Sequence, residues 1–101
     1  MVQAMENLTA LTTRLVSSGP DPRLAGWDRL VVDVLDARPV SGYADLLSRY
    51  AGGRLDVAVP AERVAGLPPG TVLRLRAKLA GGRALAERRP PPGMFTTEPP
   101  S

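Results

Sequence analysis

The sequence predicts a mainly β fold: five short strands, preceded by an amphipathic helix and followed by a proline-rich tail without regular structure. Three observations predict it. Leu73, Leu75, Ala77 and Leu79 alternate with Arg74, Arg76 and Lys78, the period-two mark of a half-buried strand. Gly81-Gly82 then breaks that run before a second alternating stretch, as a two-residue hairpin turn does. Leu55, Val57 and Val59 alternate with Arg54, Asp56 and Ala58 in the same way.

The elements follow in order. Val2, Met5, Leu8, Leu11, Leu15 and Val16 recur near helical spacing, with Gln3, Glu6, Thr9 and Thr13 opposite, so residues 2–17 are expected to be a helix. Gly19-Pro20 stops it, and "GPDPRLAG" is a loop. "WDRLVVDVLDA" (27–37) is the first strand, with Leu30, Val32 and Val34 on one parity. "YADLLSRYA" (43–51) has helical spacing in Tyr43, Leu46, Leu47 and Tyr50. The Gly52-Gly53 pair after it favours a strand at 45–51, hairpinned to a third strand at 54–59. "AERVAGLPPG" is a connector with one helical turn, and its Pro-Gly turn restarts the chain into strands 72–79 and 83–88. The tail, 89–101, holds five prolines and favours extended polyproline conformations.

Composition narrows the chemistry. A chain of 101 residues is one domain by default. It contains neither Cys nor His, which removes disulfides, thiol nucleophiles, Cys/His zinc sites and Ser-His triads together. No Gly-rich phosphate loop ending in Lys-Ser/Thr is present, so no enzymatic activity, metal or cofactor is expected. No apolar run approaches the roughly 20 residues of a membrane helix, and the N-terminus does not read as a signal peptide, so the expectation is a cytoplasmic protein. Twelve Arg against one Lys, with abundant Ala, Gly and Pro, is the composition of a GC-rich, bacterial genome. The net charge is +3, yet residues 1–69 carry seven Arg and eight acids while residues 70–101 carry six cations and two acids. A local positive patch of that kind points to a polyanionic partner.

The stretch from Trp27 to Glu87 resembles the OB-fold, the oligonucleotide/oligosaccharide-binding small β-barrel. The resemblance rests on "GGRLDVAVPAERVAGLPPGTVLRLRAKLAGGRALAE" and on its strand-four opening, Leu67-Pro68-Pro69-Gly70 followed by Thr71 to Leu79. It implies a five-stranded Greek-key barrel over 27–88, with residues 1–26 as an N-terminal helix and linker and 89–101 as a flexible tail. It also implies single-stranded nucleic acid as the ligand. Aromatics for stacking are sparse: strand three has none, and the region of strand two offers only Tyr50 and Tyr43.

Candidate site residues follow from parity. If 72–79 is a strand, Arg74, Arg76 and Lys78 form an outward row spaced by about 6.6 Å, which Arg83, Arg88 and Arg89 widen. Arg grips phosphate with two parallel hydrogen bonds. The competing reading is a solvated outer face that needs polar residues in any case. Tyr50 and Tyr43 either stack bases or fill the core, and Trp27 is expected as a barrel plug or packed under the N-terminal helix rather than as a stacking platform. Asp56 is expected to pair across the hairpin with Arg54 or Arg49. A second function class remains open: a protein-interaction or assembly subunit docking through the N-terminal helix (2–17) and the tail (89–101), with Met94 and Phe95 as the docking pair.

Overall fold

Thr9, Leu11, Thr13 and Leu15 all point inward from a strand, β1 (Thr9–Pro20), where the sequence predicts helix. The computed structural model describes residues 6–100, so residues 2–5 of the expected helix lie outside the described residues; the rest of that segment is extended. No α-helix occurs among the described residues. The physical reason is the two threonines. Their inward positions break the apolar alternation, so the remaining leucines mimic a helical period. Inside the barrel both hydroxyls are satisfied: Thr9 Oγ1 donates to Asp45 Oδ1 at 2.9 Å and Thr13 Oγ1 donates to the Leu73 carbonyl at 3.0 Å. A hydrogen-bonded hydroxyl costs little when buried, and β-branched Thr suits a strand.

The remaining strands are β2 (Trp27–Pro39), β3 (Arg54–Pro60), β4 (Val72–Ala80), β5 (Arg83–Ala86) and β6 (Thr96–Glu98). The first five close into a barrel in the order β1-β2-β3-β5-β4, with β4 pairing back onto β1. Every pairing in the ring is antiparallel except β3 with β5, which is parallel. The barrel therefore begins at Thr9, not at Trp27. Closure removes most free sheet edges. Bulges sharpen the coiling of the β1–β2 ribbon, where Leu35 and Val16 are the extra residues.

Two further expectations are corrected. Residues 45–51 are not a strand: Ser48–Tyr50 is a single 3₁₀ turn, and the strand beside β3 is β2. The Asp45 side chain accepts the Ser48 backbone N–H at 3.1 Å, which turns the chain, and Leu47 drops into the core fully buried. Arg54 accordingly finds Asp33 on β2 at 3.0 Å, not Asp56. The tail is not wholly irregular either. β6 pairs with β4 from Val72 to Arg74, the part of that strand β5 does not reach.

Other elements match the sequence reading. β4 buries Leu73, Leu75 and Ala77, and Gly81 and Gly82 both take positive φ (57° and 77°), as a type I′ hairpin turn requires. The connector after β3 holds one 3₁₀ turn, Ala61–Arg63. The core is aliphatic: Leu11, Leu15, Leu30, Val32, Val34 and Leu47 meet Val57, Val59, Leu73 and Leu75. Each such side chain, fully buried, contributes roughly 1.5–3 kcal/mol. No helix among the described residues is long and apolar enough to cross a membrane.

Candidate functional site

The outward row on β4 exists, but its members are differently engaged. Arg74 is ion-paired to Glu98 on the tail strand. Arg76 forms a two-bond fork with Glu87, Nε to Oε2 at 2.8 Å and Nη2 to Oε1 at 2.5 Å, and both side chains are largely shielded from water. The Glu87 hydrogen bond holds the Arg76 guanidinium above its ordinary pKa despite the opposing effect of burial. Lys78 alone on this strand has no carboxylate partner among the described residues. The row is therefore one free cation and two neutralised ones.

Arg83 is engaged too. It is ion-paired to Asp21, whose side chain is fully buried. Burial pushes the Asp21 carboxyl up. Hydrogen bonds from the Arg23 backbone N–H, the Arg83 guanidinium and the Leu24 N–H outweigh it, so Asp21 stays below the usual carboxylate range. The pair ties the β1–β2 loop to the start of β5.

Two grooves on the outer wall bring candidate residues together. The first, of about 370 Å³, is lined by Arg23 of the β1–β2 loop, Arg29 of β2, Asp56 and Ala58 of β3, Arg83 of β5 and Tyr50. Arg49 sits over the Tyr50 ring at 5.1 Å. The second, of about 440 Å³, is lined by Trp27, Leu8, Leu85, Ala86, Lys78, Arg88, Arg89 and Glu87, the last held by Arg76. Trp27 is not the plug the sequence reading expects. Leu30, Val32 and Val34 point inward, so Trp27 and Arg29 share the outward parity of β2 and stand about 6.8 Å apart along it. Ala58 faces Arg29 on one side and neighbours Leu85 on the other, which makes the two grooves adjoining parts of one face.

Tyr43 and Tyr50 do not share a groove. Tyr43 is exposed beside Lys78 and Glu87, while Tyr50 lies against Arg83 and Leu55. Met94 is exposed, whereas Phe95 packs against the core under Arg63, 5.7 Å from its guanidinium. Arg63 also donates to the Arg88 carbonyl at 3.3 Å and so fastens both ends of the proline loop. Sequence reasoning missed Arg23 and Arg29 and assigned Trp27 to packing. The parity of β2 carried the signal for Trp27 and Arg29; nothing in the sequence placed Arg23 near them. No group of three or more acidic side chains able to hold a metal occurs among the described residues.

Comparison with known proteins adds no identity: no family model, curated protein or solved structure matches this chain.

Proposed function

We propose that this chain is an OB-like binding module for single-stranded nucleic acid, using the outer face of β2, β3 and β5. Proteins of that plan bind oligomers on the face of strands two and three, between the loop joining strands one and two and the turn joining strands four and five. Here the first groove occupies that place, from Pro22 and Arg23 across Arg29 and Ala58 to Gly82 and Arg83. The observation that carries the reading is the second groove, where the Trp27 indole stands with three cations, Lys78, Arg88 and Arg89, that have no carboxylate partner among the described residues. An aromatic platform flanked by unpaired cations is what a flexible polyanion with exposed bases needs.

The roles divide by chemistry. Trp27 and Tyr50 stack bases; Arg23, Arg29, Lys78, Arg88 and Arg89 hold phosphates. Arg74 and Arg76 shape the wall and contribute little binding. The Arg49 contact on Tyr50 is at the surface and worth about 0.5–1 kcal/mol. A stacked base contributes about 1–3 kcal/mol, enough to displace it.

Trp27 is the only tryptophan in the chain, so its fluorescence reports on the groove directly. Titration with a single-stranded oligonucleotide at about 50 mM salt should quench it, and salt should reverse the quenching. An oligonucleotide that neither binds nor quenches at that salt overturns the proposal.

A further inference from the structure

Asp56 is an anion on a face of cations. It is exposed on the outer side of β3 and lines the first groove with Tyr50, Arg29 and Arg83. No ion pair or hydrogen bond occupies its carboxylate among the described residues. Its neighbour across β2 is Val31, and Arg54, two residues earlier, is engaged by Asp33. A free carboxylate repels a phosphate and has only acceptors to offer. A strand lying in this groove must therefore keep its phosphates toward Arg23 and Arg29 and turn a donor edge toward Asp56.

We infer that Asp56 reads guanine on a single strand whose base stacks at Tyr50. The inference rests on the nucleic-acid reading of this face. Among the bases, only guanine places two donors, N1–H and an N2 amine hydrogen, side by side on one edge. Those two meet the two carboxylate oxygens in the parallel fashion of an Arg–carboxylate fork. Cytosine and adenine present one amine beside a ring nitrogen that accepts, so the second carboxylate oxygen meets a lone pair. Thymine and uracil present one N–H between two carbonyls. Single-strand recognition works on such edges because the bases are splayed out.

The test uses the full chain and thymidine dodecamers in which every third base is guanine, cytosine, adenine or thymine. The guanine oligomer is expected to bind on the order of tenfold more tightly than the all-thymine one, the discrimination of one good two-bond contact. Asp56→Asn keeps the shape but replaces one acceptor by a donor. It should erase the guanine preference while binding all-thymine DNA as tightly or more tightly, because a repulsive charge is gone. Asp56 is exposed and has no partner among the described residues, so the variant should melt like the parent. Equal binding of the four oligomers, or a guanine preference that survives Asp56→Asn, overturns this inference and leaves the nucleic-acid reading standing. Failure of every oligomer to bind overturns the nucleic-acid reading itself.

Discussion

Replacing Lys78, Arg88 and Arg89 together by glutamine removes the three cations of the Trp27 groove that no carboxylate neutralises among the described residues. The effect is calculable. Each phosphate contact on a single strand contributes about −0.7 to the slope of log affinity against log salt. Five contacts, with Arg23 and Arg29 included, give a slope of about −3.5, and the triple variant should fall to about −1.4. Between about 50 and 200 mM salt, the three lost contacts account for about an 18-fold change in affinity. Arg74→Gln is the control: Arg74 lies outside both grooves and is bound to Glu98, so its slope should stay with the parent. Oligonucleotide titrations followed by Trp27 fluorescence at four or more salt concentrations give both slopes. A triple variant with the parental slope, or an Arg74→Gln slope lowered as much as the triple, refutes the assignment of free and engaged cations.

Other consequences concern stability. Leu73→Ala, at a fully buried position, should cost about 2–5 kcal/mol, read as a lower urea midpoint with an unchanged m-value. Asp21 has a folded-state pKa below its ordinary 3.8, so its stabilisation is complete well above that value and is lost as pH falls through the folded pKa. Asp21→Asn should therefore flatten the acid limb of a pH–stability curve measured by urea melts between neutral pH and about pH 2. Gly82→Ala, at a φ of 77°, should destabilise the hairpin turn by about 1 kcal/mol in thermal melts.

How much was legible in the sequence depended on what each segment packs against. β4 and β5 read correctly because one face meets an aliphatic core and the other meets water, so alternation is unbroken. β2 read correctly for the same reason. β1 did not, because Thr9 and Thr13 occupy core positions and satisfy their hydroxyls on Asp45 and on Leu73, residues far away in the chain. Residues 45–51 misled because Gly52-Gly53 looks like a hairpin turn, whereas the Gly52 N–H donates to the Val34 carbonyl of β2 and the Gly53 N–H to the Tyr50 carbonyl. Leu47 plugs the core, Tyr50 walls a groove and Tyr43 faces solvent. The strand in the tail was hidden because β6 is three exposed residues whose only reason to be extended is an uncovered stretch of β4.

The site divides along the same line. Local alternation by itself determined that Arg74, Arg76 and Lys78 point away from the core, that the chain lacks Cys and His chemistry, and that positive charge concentrates after residue 70. Which of those charges stay available was decided only by the tertiary structure. Glu98, Glu87 and Asp21 reach Arg74, Arg76 and Arg83 through pairings 11 to 62 residues apart in the chain. Barrel closure also carried Trp27 to the same groove as Lys78 and Arg88. Ion pairing and groove formation depend on distance in space, and a period-two pattern fixes only the side of the strand on which a residue lies.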